Sequence, residues 1–167
     1  EHKNLQIHLD KQASYDPLTQ LPNRRLINDR LKQAIAFANR NKKNIAILFI
    51  DLDGFKQIND SYGHHVGDWL LIEVSNRIQS CLRATDTVGR LGGDEFVVIL
   101  PAIYQYAEDV ANQIRVTLEN DFIMDNNEVL NISSSIGVAI YPQHATEQAK
   151  LLECADKAMY EAKKRGR

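Results

Sequence analysis

Four acids stand where apolar runs give way to turns. Asp51 and Asp53 follow the run Ile45-Ala46-Ile47-Leu48-Phe49-Ile50, and Asp94 and Glu95 follow Gly92-Gly93. If the two segments lie side by side, three or four carboxylates converge, and such a cluster is unfavourable unless a cation neutralises it. Oxygen ligands without clustered Cys or His favour Mg²⁺ or Mn²⁺ over zinc. The cluster therefore predicts a bound divalent metal ion. Taken alone, each pair also fits a plainer role, with Asp51 ending a strand and Asp94-Glu95 solvating a turn.

The elements that must position these acids follow from periodicity. Ile45 to Ile50 reads as a central strand buried on both faces, delivering Asp51 at its C-terminal end. Residues 87–91 and 96–100 read as two strands, with Gly92-Gly93-Asp94-Glu95 as the turn between them. Asn23 is a plausible N-cap for a helix carrying Leu26, Ile27, Leu31, Ala34, Ile35 and Ala38 at helical spacing. Val66, Leu70, Val74, Ile78 and Cys81 trace a second helix ending near Arg83, and Ala107, Val110, Ala111, Ile114 and Leu118 a third. A β-rich stretch then runs from Val129 to Tyr141, closed by Pro142, before a last helix with Leu151, Leu152, Ala155, Ala158, Met159 and Ala162. The order β-α-β-β-α-β, with an extra helix at each end, predicts an α+β fold: a ferredoxin-like, mainly antiparallel central sheet flanked by helices.

The chain has 167 residues, the size of one ordinary domain. Residues 1–14, with Leu5 and Leu9 at helical spacing, read as a helical stub or linker from an upstream region, and the domain proper as 15–167. A formal charge of −2 gives no basic field, so nucleic acid is not an expected partner. The run from Ile45 to Ile50 is far short of the roughly 20 apolar residues that span a bilayer, so no direct membrane contact is expected from this segment. Cys81 and Cys154 fall on apolar helix stripes and read as small buried hydrophobes.

The segment Arg90-Leu91-Gly92-Gly93-Asp94-Glu95-Phe96 resembles the signature of the GGDEF family, the diguanylate cyclases. The likeness extends to Asp16-Pro17-Leu18-Thr19 with Leu21-Pro22-Asn23-Arg24, to Asp51-Leu52-Asp53-Gly54-Phe55-Lys56 with Asn59-Asp60, to Tyr62-Gly63-His64 with Gly67-Asp68, and to the terminal Ala162-Lys163-Lys164-Arg165-Gly166-Arg167. These blocks follow the family's order and spacing from about residue 14 onward. One departure is Gln20, where the family usually has glycine.

The resemblance implies a palm like that of nucleotidyl cyclases and a reaction: two GTP condense to cyclic di-GMP and two pyrophosphates, each 3′-hydroxyl attacking an α-phosphate. It implies two Mg²⁺ or Mn²⁺ per active site, held by Asp51, the Leu52 carbonyl, Asp94 and Glu95. Asp94 and Glu95 are the implied catalytic acids. Asp94 is the family's candidate acceptor of the hydroxyl proton, a role weakened by the low basicity of a metal-bound carboxylate. Asn59 and Asp68 are implied to read guanine, and a carboxylate that accepts from N1–H and the exocyclic amine would be left unpaired by adenine. His64 matches the adjoining Gly-His segment; Gly92 and Gly93 would admit the nucleotide to the backbone; Lys56, Lys163 and Arg167 match basic positions for the triphosphate. Arg83-Ala84-Thr85-Asp86 matches the family's inhibitory Arg-x-x-Asp site, where Arg83 and Asp86 would bind the product.

One domain holds one GTP and the reaction needs two, so a homodimer is the implied catalytic unit. The implied setting is cytoplasmic bacterial signalling, with a membrane tether on the full-length protein left open. The alternative is a catalytically inactive domain that binds GTP or cyclic di-GMP and signals to a neighbour. A third reading is a related cyclase with a different nucleotide product. Intact Asp94 and Glu95 favour the active enzyme.

Overall fold

A computed structural model describes residues 13–101 and 106–166. The expected stub lies outside them except for its last two positions, and so does Arg167. Asn23 caps α1 (Arg24–Asn41), its side chain accepting the Leu26 N–H at 3.1 Å. Then follow β1 (Ile45–Asp53), α2 (Phe55–Tyr62), α3 (His64–Ser80), β2 (Thr87–Gly92), β3 (Glu95–Pro101), α4 (Ala107–Glu119), β4 (Phe122–Ile123), β5 (Val129–Leu130), β6 (Ser133–Tyr141) and α5 (Gln148–Lys164).

The main sheet has the order β2-β3-β1-β6, with every neighbouring pair antiparallel. This is the expected ferredoxin-like arrangement, and it places β1 at the centre. Residues 45–50 of β1 are all buried, so apolar burial on both faces anchors the strand, at roughly 1.5–3 kcal/mol for each large side chain. Odd-numbered Ile45, Ile47 and Phe49 pack with Ile27 and Leu31 of α1 and Leu151, Ala155 and Met159 of α5. Even-numbered Ala46, Leu48, Ile50 and Leu52 pack with α2, α3 and α4 through Phe55, Ile58, Leu70, Val74 and Ile114. Alternation then carries Asp51 and Asp53 onto the α1/α5 face.

Four sequence expectations need correction. The central strand continues past Ile50 to Asp53, because both acids still have ladder partners on β6. The stretch 129–141 is not one β unit: Val129–Leu130 pairs with Phe122–Ile123 in a separate small sheet, and only Ser133–Tyr141 joins the main one. A short helix, α2, lies between Gly54 and Gly63, and its apolar positions Phe55 and Ile58 are too few to give a visible period. Cys81 and Cys154 are half-buried rather than fully enclosed.

Among the described residues, no helix is long and apolar enough to cross a membrane.

Candidate active site

The β1–β3 register sets Asp51 directly opposite Glu95, and the β1–β6 register sets Asp51 opposite Ser135 and Asp53 opposite Ser133. Gly92 pairs with Glu95, so the turn itself is only Gly93-Asp94, and Glu95 is the first residue of β3 rather than part of the loop. Gly92 (φ 140°) and Gly93 (φ 50°) take positive φ, which strains residues with a Cβ, and this tight reversal brings Asp94 back beside β1. The Asp94 carbonyl accepts the Leu52 N–H at 3.3 Å. Both acids of the hairpin therefore meet Asp51, as the sequence expectation required.

Electrostatics bear the marks of that convergence. Burial, then the charge of Asp51 and a hydrogen bond with its side chain, raise the Asp94 carboxyl from 3.8 to about 6. Burial, then Asp51 and Asp156, push Glu95 upward, opposed by Arg24 and Lys163. The resident positive charge is the Lys163 ammonium, in the last turn of α5, which donates to Asp51 Oδ2 at 2.5 Å and lies 3.7 Å from Asp53 Oδ1. Burial alone would lower the Lys163 pKa, but its bond to Asp51 and the charges of Asp51, Asp53 and Asp94 raise it. Gly137 on β6 makes this reach feasible. A Cβ there would lie 2.1 Å from the Ala155 carbonyl and 2.2 Å from the Met159 amide, so its absence lets α5 press against the sheet one turn before Lys163.

Among the described residues no three His, Cys, Asp or Glu side chains are gathered as a ready cation cage. Lys163 supplies one positive charge to this cluster, and the Asp94 carboxyl stays raised beside it. The donor set still suits a hard divalent cation. It is all oxygen, and Asp94 is held near 6 by burial and then by the charge of Asp51, which a bound cation would compensate.

The remaining candidates group around α2 and α3. Lys56 is exposed in the first turn of α2, Asn59 is half-buried on the same helix, and His64 and Asp68 are exposed in the first turns of α3. Asn59 packs against Gly67, the residue before Asp68, its amide occupying the space where Gly67 lacks a Cβ. Arg83 and Asp86 are not part of this centre. They precede β2, whose other end carries Gly92, a strand length of roughly 17 Å away. Asp86 Oδ2 accepts the Arg83 N–H at 2.9 Å and lies 3.6 Å from Arg83 Nε, while its buried Oδ1 has no hydrogen-bond partner among the described residues. Both residues line a cleft of about 310 Å³ with Cys81, Leu100, Tyr106, Val110 and Gln113.

Sequence reasoning counted Asp53 only among the converging acids and gave no task to Ser133, Ser135 or the Asp16–Arg90 pair. The serine hydroxyls donate to the two Asp53 oxygens at 2.9 Å each. Arg90 Nη1 meets Asp16 Oδ1 at 2.9 Å while Arg90 Nε donates to the Gly93 carbonyl at 2.9 Å, tying the turn before α1 to the acidic hairpin. Asp16 and Arg90 lay within quoted motifs, but only the register reveals their contact.

A ferredoxin-like sheet with acids at the end of its central strand and in the adjoining hairpin turn defines a palm domain of the nucleotidyl-cyclase kind. The family described as "Diguanylate cyclase, GGDEF domain" matches residues 13–167, and the chain belongs to it. It is 49% identical over 93% of its length to MucR of Pseudomonas aeruginosa, a bifunctional diguanylate cyclase and cyclic di-GMP phosphodiesterase, and covers 23% of that protein. It is 42% identical over 95% of its length to TpbB, a diguanylate cyclase of the same organism, and covers 37% of it. The chain therefore spans well under half the length of these relatives. The GGDEF domain of TpbB superposes with a TM-score of 0.87 at 42% identity, covering 90% of this chain and 89% of that one. The coiled coil and GGDEF domain of DgcB from Caulobacter crescentus, in complex with cyclic di-GMP, gives 0.88 at 30% identity, with 99% and 90% covered.

Proposed function

We propose that this domain is an active diguanylate cyclase that joins two GTP into cyclic di-GMP and releases two pyrophosphates. The cross-strand pairing of Asp51 with Glu95, with Asp94 in the turn beside them, carries this reading. Asp51, the Leu52 carbonyl, Asp94 and Glu95 would hold Mg²⁺ or Mn²⁺, two ions per site, which when bound polarise the attacking hydroxyl and stabilise the departing pyrophosphate. Lys163, Lys56 and Arg167 take the triphosphate charge, and Gly92-Gly93 offers the nucleotide an approach free of side chains. Asp68 accepts from N1–H and the exocyclic amine of guanine, and Asn59 adds an amide contact; the packing of Asn59 against Gly67, next to Asp68 in the chain, supports a shared base site. His64 orders that junction or touches the nucleotide.

Each domain holds one GTP, so the working unit is a homodimer in which two sites face each other. The 3′-hydroxyl oxygen of one GTP forms a bond to the α-phosphorus of the other, the α–β bridge breaks, and a second such step closes the ring. Product returns to Arg83 and Asp86 to inhibit. The unpartnered Asp86 Oδ1 beside a cleft of about 310 Å³ suits the donor edge of a guanine. Concentrated protein with GTP and Mg²⁺ should yield cyclic di-GMP, and Asp94→Ala should yield none. Binding of GTP or cyclic di-GMP with no turnover would instead establish the inactive receptor, and chromatography of products from GTP, ATP and their mixture decides between dinucleotide products.

A further inference from the structure

Lys163 does not sit between Asp51 and Asp53 by chance of rotamer. Asp53 is oriented by two fixed donors on a neighbouring strand, Ser133 Oγ to Oδ2 and Ser135 Oγ to Oδ1, both at 2.9 Å. Those serines share its face because the register pairs Ser133 with Asp53 and Ser135 with Asp51. A carboxylate with both oxygens so held cannot swing to follow an ammonium, and the flexible lysine stem must come to it. Lys163 does so, 3.7 Å from Asp53 Oδ1, while its short bond goes to Asp51. Asp51 is one of the acids proposed for cation binding, and a cation there competes with Lys163 for the same oxygens. Asp53 remains available.

We infer that Asp53, held by Ser133 and Ser135, is a positioning residue that provides Lys163 with a second seat, keeping the ammonium at the site when Asp51 is engaged by other charge. The inference rests on the reading of Lys163 as a triphosphate-binding residue. Without this seat, a lysine displaced from Asp51 returns to solvent disorder and must be ordered again for each nucleotide, which weakens substrate binding more than it slows the chemical step.

The test reads Lys163 directly in the ligand-free protein with chelator present. Nitrogen-15 correlation spectra of lysine ammonium groups show a slowly exchanging signal for an ion-paired lysine, assigned here by its loss in Lys163→Arg. The signal should persist in Asp51→Asn, shifted, and vanish in Asp51→Asn/Asp53→Asn. Loss in Asp51→Asn alone, or persistence in the double variant, overturns the proposal. In the active enzyme, Asp53→Asn should raise KM for GTP about tenfold or more and lower kcat by less, with Ser133→Ala/Ser135→Ala changing both in the same direction to a smaller extent. A fall in kcat at unchanged KM overturns it, and the serine variant carries the test should Asp53→Asn fail to fold. A wild-type domain that makes no product would sink the cyclase reading, while the spectra still judge the second seat.

Discussion

Asp94 lies in a two-residue turn that returns it to Asp51, and the two side chains are hydrogen-bonded, with Asp94 titrating at about 6. Charge is thereby concentrated at a half-buried site, and the penalty falls on folding stability. Several substitutions can read that penalty and its counterparts elsewhere in the fold.

Asp94→Asn should abolish product formation while stabilising the ligand-free domain. A carboxyl whose folded value is raised contributes stability fully present below its unfolded value of 3.8 and lost as pH rises through about 6. The advantage of the variant over wild type should therefore grow between about pH 4 and pH 6 and level off above. Half exposure limits it to on the order of 1 kcal/mol, a few degrees in Tm. Thermal melts with chelator across that range check the sign; a variant less stable than wild type at pH 7 contradicts it.

The Asp16–Arg90 pair should contribute in the opposite pH direction. Burial would raise the Asp16 carboxyl, but the backbone and side-chain bonds from Thr19, then Arg90, lower it below 3.8. Its stabilisation is present above its unfolded value and disappears as pH falls through the lower folded one. Removing Arg90 as Arg90→Ala should cost about 1–2 kcal/mol at pH 7, since the pair is largely shielded and Arg90 also holds the Gly93 carbonyl. Urea titration at pH 7 and at successively lower pH measures both, and a cost that never falls toward acid would be inconsistent.

Base selection should fall mainly on Asp68. Asp68→Ala is expected to weaken GTP binding about tenfold and to remove most of the preference for GTP over inosine triphosphate, which lacks the exocyclic amine. Competition binding with the two nucleotides tests this, and retained discrimination would place guanine recognition elsewhere.

Arg83→Ala should raise the inhibition constant for cyclic di-GMP at least several-fold with turnover intact, because Arg83 stands at the far end of β2 from the acids. Initial rates at graded product concentrations give the answer. Equal inhibition in variant and wild type would assign product control to other residues.

Gln20 occupies a left-handed conformation, φ 66°, which favours glycine. Its side chain offsets part of the strain by donating to the Pro17 carbonyl at 3.0 Å. Gln20→Gly should raise stability by about 0.5–1 kcal/mol, read as a shift in the urea midpoint at constant slope. A lowered midpoint would show that the side-chain bond outweighs the backbone strain.

Local pattern was enough for the elements that carry most of the site. The apolar run from Ile45, the cap at Asn23 and the glycines before Asp94 each act through neighbours in the chain; the cap proved as expected, while the strand runs on to Asp53 and the turn narrows to Gly93-Asp94. Helix α2 escaped because Phe55 and Ile58 alone make no period, and β5 was merged with β6 because periodicity does not say which sheet a strand joins.

What the chain alone determined, then, is which residues are acidic, where apolar runs stop, and the resemblance that gave those acids meaning. The tertiary structure decided which acids meet and what holds them apart. Asp51 faces Glu95 because of a strand register, and a one-residue slip would send one of them to the opposite face. Lys163 reaches Asp51 across 112 positions because Gly137 lets a helix lie close to the sheet. Contacts of that kind depend on how distant segments pack, and no short stretch of sequence contains both partners.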